Sequence, residues 1–268
     1  MRMQTMRRHL ASWARSSESV WVRGLDADEV ARSLTSARVF GGRASFVPPS
    51  ALGYELPRND VPEIAFAGKS NVGKSTLVGA LLRDGKILRT SKTPGCTTAV
   101  NFFAVGSGSA AARGARRPGG GKKRRLKADE AAAAAAGATL FVVDLPGFGF
   151  AKRGLERKDA FQRATVDYLS SRPRHVLRHA FALFDARRGP DPAVLEAFSA
   201  LRVPHRVVLT KADAAKPADV VAALEALEPY FDARLSSLMP IVHVVSAKTG
   251  VGVADLERHV ATLVHDPA

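Results

Sequence analysis

The sequence predicts an α/β fold of three layers, a mainly parallel sheet covered by helices on both faces. Three observations carry this expectation. From Val61 onward, short apolar strand-like runs alternate with helical stretches, the pattern of parallel strands joined by crossover helices. The segment Gly68-Lys69-Ser70-Asn71-Val72-Gly73-Lys74-Ser75 fits G-x-x-x-x-G-K-[ST] between a strand and a helix. Further polar motifs close later strands, at the carboxyl ends where open α/β sheets bind ligands.

Taken in order, residues 18–60 hold one short helix over 27–36, for which Asp26 is the cap. An extended lead-in rich in Pro and Gly follows over 45–60. The strands expected are 63–67, 99–105, 139–144, 179–185, 206–210 and 240–246. The helices expected are 76–82, 157–170, 192–201, 217–227 and 253–264. Three domain segments result: 1–17 as a leader or basic tail, 18–60 as an extension, and 61–268 as the main domain. A low-complexity insertion over 106–137 interrupts two strands of that domain that otherwise form a tight hairpin.

The phosphate loop sets the chemistry. Gly68 and Gly73 let the backbone wrap an anion, so the amides of Lys69, Ser70, Asn71 and Val72 can point at a β-phosphate. Lys74 is placed for the β- and γ-phosphates, Ser75 for Mg²⁺ and Thr76 for the first helical turn, whose dipole favours anions. Asp144-Leu145-Pro146-Gly147 ends a buried strand. Asp144 there is expected to hold Mg²⁺ through water and the Gly147 amide to sense a γ-phosphate.

The base-selecting part comes later. In Thr210-Lys211-Ala212-Asp213 the Asp213 carboxylate can accept from both guanine N1–H and the exocyclic amine. Adenine offers no such pair, which is the strong way to discriminate ligands. Lys211 would lie across the base and brace the loop, and Ser246-Ala247-Lys248 would present a backbone N–H to guanine O6. A mobile loop carrying a hydroxyl to Mg²⁺ belongs between the first helix and the next strand, where Lys92-Thr93-Pro94-Gly95-Cys96-Thr97-Thr98 lies. Thr97 is the metal candidate, Thr98 the alternative, and Gly95 shares the loop. Cys96 is read as a bystander, against a redox-sensitive thiol.

Composition bounds the partners. The 268-residue chain carries a net charge of +15 and a pI near 10.6, which suggests a polyanionic partner, most simply nucleic acid. The alternative is that basic tails inflate the total. One cysteine excludes an internal disulfide and a cysteine-based zinc site. No apolar run has the length of a membrane span, and a monomer without membrane association is expected. Residues 1–17 are rich in Arg and Ser, lack acids, and place Met3, Met6, Leu10 and Trp13 on one helical face. That is the character of a mitochondrial transit peptide, with a basic tail on a cytoplasmic protein as the alternative. The insertion combines Gly and Ala with Arg113, Arg116, Arg117, Lys122, Lys123, Arg124, Arg125 and Lys127. It is either an arm for RNA phosphates or a tolerated surface insertion, and its composition cannot support a packed core.

Together, AFAGKSNVGKSTL, TSKTPGCTT, VNFF, FVVDLPGFGFAK, LTKAD and Asp185-Ala186-Arg187 resemble the EngB-type (YihA/YsxC) ribosome-biogenesis GTPases, a branch of the Era-like P-loop GTPase superfamily. The resemblance covers the chain from about residue 45 onward, apart from the insertion. It implies the three-layer P-loop GTPase fold, GTP/GDP and Mg²⁺ as cofactors, and assembly of the large ribosomal subunit as the task. Its rRNA and ribosomal proteins would then be the partners. With the leader, the mitochondrial matrix becomes the expected site of that work. Asn71 matches a loop Asn that resembles a K⁺ ligand in related GTPases. Phe148 stands where Ras-like enzymes carry a water-orienting Gln, so no catalytic side chain is assigned and slow intrinsic hydrolysis is expected. The competing functions are an rRNA-binding scaffold in which hydrolysis is dispensable, and an ATPase or generic signalling GTPase, which Asp213 disfavours.

Overall fold

The computed structural model describes residues 19–22, 40, 44–47, 60–83, 100–106, 137–147, 155–231 and 237–265, with side chains from residue 163 onward in the helix that starts at 155. The strands are β1 (Val20–Val22), β2 (Ala44–Val47), β3 (Glu63–Gly68), β4 (Asn101–Val105), β5 (Leu140–Asp144), β6 (Leu177–Asp185), β7 (His205–Thr210) and β8 (Leu238–Val244). The helices are α1 (Lys74–Leu81), α2 (Leu155–Ser171), α3 (Pro192–Ala200), α4 (Pro217–Phe231) and α5 (Val253–His265). All strands join one sheet in the order β1-β8-β7-β6-β3-β5-β4-β2. The central run from β8 to β5 is parallel, whereas β4, β2 and β1 join by antiparallel pairing.

Strand alternation divides the interior into two cores. Ile64, Phe66, Val142, Phe181, Leu183 and Val208 pack beneath α1 and α5 through Leu77, Leu81, Leu256 and Val260. Ala65, Ala67, Val143, Ala182, Phe184, Val207 and Leu209 pack beneath α2, α3 and α4 through Leu169, Leu195, Phe198, Leu224 and Leu227. Small residues of β3 on the second face let these helices sit close to the sheet. Among the described residues, no helix is long and apolar enough to cross a membrane.

The expected strands and helices of the main domain are all present, and the differences lie at the sheet edges. The 18–60 extension supplies two strands. Ala44–Val47 pairs with β4 from Phe102 to Val105, so the stretch that begins at Ser45 opens as sheet rather than as a free lead-in. Val20–Val22 pairs with β8. Three or four residues carry no period of their own, and a paired neighbour is what makes them strands. Helix α4 continues past the expected end at 227 through Pro229 to Phe231. There the Phe231 ring lies 5.8 Å from that of Trp21 on β1. A proline in the final turn forfeits one backbone bond, and the aromatic contact offsets it. The insertion leaves and re-enters at one point, because a Cβ on Gly106 would fall 2.2 Å from Gly137 O. Residues 107–136 of the insertion, the leader 1–17 and the helix expected over 27–36 lie outside the described residues.

A buried ion pair fastens α2 to the start of β3. Glu63 is fully buried and accepts from Tyr168 Oη at 2.7 Å, from Arg172 Nε at 2.9 Å, and from Arg172 Nη2. Burial, reinforced by the Glu63 charge, pushes the Tyr168 hydroxyl well above its ordinary value, so it stays a neutral donor. Arg172→Ala leaves a carboxylate in the core without its cation, and such a loss costs about 3–5 kcal/mol. Urea denaturation should register that drop, and adding Glu63→Gln should recover most of it. An unchanged midpoint in Arg172→Ala would show that the pair is energetically idle.

Candidate nucleotide site

The phosphate loop forms where β3 can go no further. A Cβ on Gly68 would lie 2.8 Å from Leu183 O and 3.0 Å from Val72 Cγ1, so only glycine lets β3 and β6 run together there. Asn71 (φ 65°) and Gly73 (φ 99°) then adopt left-handed backbone and turn the chain into α1. Val72 points inward, 5% exposed, as a hydrophobic anchor for the loop. Helix α1 has no acidic residue in its first turn and no side-chain cap at Gly73. Its first amides are therefore not claimed by a capping carboxylate at the position where a phosphate would sit.

The other motifs converge on this loop. Lys74 Nζ pairs with Asp144 Oδ1, and both side chains are buried. Asp144 arrives there because β5 lies beside β3, with Asp144 opposite Phe66. Gly147 leans directly on the loop, and a Cβ there would sit 3.1 Å from Ser70 Oγ and 3.4 Å from Gly68 O. Ser75 and Thr76 occupy the first turn of α1, half-buried and exposed respectively.

The base-selecting residues approach from β7 and β8. Thr210 Oγ1 lies 2.6 Å from Val72 O and 3.0 Å from Phe184 O. That hydroxyl is buried between β6 and the phosphate loop, so it braces the site and does not face a base. Lys211 is left-handed (φ 59°) and donates from Nζ to Asn71 O at 2.5 Å. Its Cε lies 3.6 Å from where a Gly73 Cβ would stand, so its stem covers the loop. Asp213 opens outward from a short 3₁₀ turn, Ala212–Ala214. Ser246 Oγ donates to Asp213 Oδ1 at 2.7 Å, and Lys248 Nζ lies 3.8 Å from the other oxygen. The Ser246 backbone N–H donates to Val251 O at 2.9 Å. Ser246 thus orients the Asp213 carboxylate through its hydroxyl, which leaves Ala247 and Lys248 as the residues whose N–H can meet a guanine O6.

Two contacts escaped the motif reading. Lys69 pairs with Asp191, the residue that caps α3 by accepting from Ala193 N at 3.0 Å. The Lys69 ammonium, ahead of the capping bonds, holds the Asp191 carboxyl below its usual range. Asp185, at the end of β6, accepts from Arg187 N, Nε and Nη2 at 3.1, 2.8 and 2.5 Å. It also lies 3.1 Å from Lys211 Nζ. Only the run Asp185-Ala186-Arg187 at a strand end hinted at this. Gly95, Cys96, Thr97, Thr98 and Phe148 lie outside the described residues.

The arrangement gathers Lys69, Lys74 and Lys211 at a loop whose backbone suits phosphate oxygens, with Asp213, whose carboxylate suits a guanine edge, in the turn that follows Lys211. Residues 63–211 match the family described as 50S ribosome-binding GTPase. The chain is 33% identical over 244 residues to the probable GTP-binding protein EngB of Caulobacter vibrioides, covering 90% of this chain and 92% of the relative. It is 34% identical over 242 residues to the corresponding protein of Rhodospirillum rubrum, covering 89% and 92%. The crystal structure of a probable GTP-binding protein engB superposes with a TM-score of 0.50 at 21% identity, covering 76% of this chain and all of that one. Era of Aquifex aeolicus bound to GDP·AlF4⁻ superposes with a TM-score of 0.51 at 17% identity, covering 78% and 58%. These two likenesses speak to the fold alone. The sequence relatives, matched over nine-tenths of the chain, decide the family: the protein belongs to the EngB branch of the ribosome-biogenesis GTPases, which bind GTP and hydrolyse it.

Proposed function

We propose that the chain is a guanine-nucleotide timer for assembly of a large ribosomal subunit, acting in mitochondria. Membership of a family described as 50S ribosome-binding, together with a net charge of +15, supports this reading, since a ribosomal precursor is a dense polyanion. GTP bound along loop 68–75 would draw Gly147 and the loop holding Thr97 onto its γ-phosphate, and hydrolysis would release them. The residues present suit Mg²⁺: the Ser75 hydroxyl and the Asp144 carboxylate flank the phosphate loop. A bound Mg²⁺ would neutralise phosphate charge there. The acid-free, Arg-rich start of the chain supports import into the mitochondrial matrix.

The deciding experiment is affinity purification of the tagged chain with GTP or a non-hydrolysable analogue, followed by sequencing of bound RNA. Large-subunit rRNA from mitochondria is the expected result, enriched with the analogue. Bound RNA that ignores the nucleotide would favour a scaffold, and the absence of rRNA would overturn the proposal. Asn71 makes K⁺ the candidate accelerator, and equal hydrolysis rates in Na⁺ and K⁺ would remove it.

A further inference from the structure

Among the ionic contacts around the phosphate loop, the one made by Asp185 belongs to none of the phosphate-, metal- or base-selecting motifs. Its side chain is 8% exposed and sits at the carboxyl end of β6. Arg187 engages both carboxylate oxygens through three donors, and Lys211 Nζ lies 3.1 Å from Oδ2, which it shares with Arg187 Nη2. The Arg187 hydrogen bonds, and then Lys211, hold this carboxyl well below the usual carboxylate range despite its burial. It therefore carries a full negative charge wherever the protein is folded at neutral pH. Lys211 in turn reaches Asn71 O at 2.5 Å and lays its stem over Gly73. A free lysine side chain at this position would sample many rotamers. Its fixed course depends on two anchors, a carbonyl of the phosphate loop and Asp185.

We propose that Asp185 is a positioning residue for nucleotide binding, whose carboxylate, itself oriented by Arg187, holds Lys211 across the phosphate loop so that loop and base-selecting turn form one rigid cleft. Asp185 touches no part of the nucleotide. It acts by removing, before GTP arrives, the conformational freedom that Lys211 and the loop would otherwise lose on binding. The inference rests on reading loop 68–75 and the Lys211–Asp213 turn as the nucleotide site.

The test is the dissociation rate of a fluorescent GDP analogue from the full chain, followed by stopped flow. The proteins compared are the parent, Asp185→Asn, Lys211→Ala and the double variant. Each single substitution should accelerate release about tenfold, the scale of one oriented charge-assisted contact. The double variant should release no faster than Lys211→Ala alone, because both changes remove the same brace. A structural effect unrelated to Lys211 would instead multiply, to about a hundredfold, and would overturn the proposal. Unchanged release from Asp185→Asn would also overturn it. Asp185→Ser keeps a short acceptor for the Arg187 amide, carries the same expectation, and replaces Asp185→Asn if that variant does not fold. If the parent itself fails to bind the analogue, the reading of the nucleotide site falls first. If the parent binds and the Asp185 variants match it, only the role given to Asp185 falls.

Discussion

Lys74→Ala is expected to bind GTP and GDP at least about a hundredfold more weakly than the parent, and to be less stable without nucleotide. The first effect follows from losing the one ammonium buried at the start of α1, where the phosphate charge would be least screened. The second follows from the partner left behind. Asp144 is 2% exposed, and removing Lys74 strands its charge in the core, which costs about 3 kcal/mol. Adding Asp144→Asn should return most of that stability while nucleotide binding stays lost. Titration calorimetry reads the affinity and urea denaturation the stability. A Lys74→Ala protein that binds GTP normally would remove the phosphate-loop assignment, and a stable one would show that the buried pair contributes nothing.

Acidification supplies the second large effect, from a place remote from the nucleotide. Beneath α5, His179, His243 and His259 are buried with Arg206. His243 Nε2 and His259 Nδ1 are 2.6 Å apart, and Arg206 Nη1 lies 2.9 Å from His179 Nε2. Burial, followed by the Arg206 charge, pushes His243 down to about 3, with Asp255 opposing weakly. Burial also holds His179 and His259 well below their ordinary value, with Arg206 and neighbouring histidines adding to it. On the far side of the sheet, burial takes His205 down to about 4. Phe181 packs against three of these rings, and Asp255 is already engaged by Ser19 and Arg258.

The sign is that of a group whose folded pKa is depressed. Above the unfolded value of about 6.5 both states are neutral and stability is full. As pH falls below it, the unfolded chain takes up protons that the folded core refuses. Stability is then lost progressively toward the folded values of about 4 for His205 and 3 for His243. Each histidine that stays neutral contributes about 1.4 kcal/mol per pH unit. Urea denaturation between pH 6.5 and 4.5 should therefore show a steep fall, corresponding to more than one proton. His259→Leu should flatten it by about one proton. A level stability profile across that window would contradict the buried, neutral cluster.

How far the sequence could be read depended on the reach of each signal. Periodicity and turn residues are local, so the strand–loop–helix unit around Lys74 was legible from the residues alone. So was the order of Asp144, Gly147, Lys211, Asp213 and Ser246 along the chain. Side chains recruited by distant strands were not. Asp185 is separated from Lys211 by the whole of α3 and β7, and only the parallel pairing of β6 with β7 makes them neighbours. Ser246 was expected to act through its tripeptide's backbone, but the turn after β8 places its own N–H on Val251 and turns its hydroxyl toward Asp213. Thr210 was assigned to the nucleotide, and the fold buries it as a brace. The histidines under α5 had no visible relation at all, since they lie on β6, β8 and α5.

By itself, then, the sequence determined that a phosphate loop opens a parallel α/β sheet and that a carboxylate suited to guanine follows the next-to-last strand. Those are properties of short stretches, written in glycine spacing, apolar period and residue type. Tertiary structure decided which charges meet, that residues 20–22 and 44–47 complete the sheet edges, and how Lys211 is held over Gly73. The physical reason is that ion pairs, edge pairing and burial act through space at a few ångströms. The partners involved stand tens to hundreds of residues apart in the chain, and no local pattern records their approach.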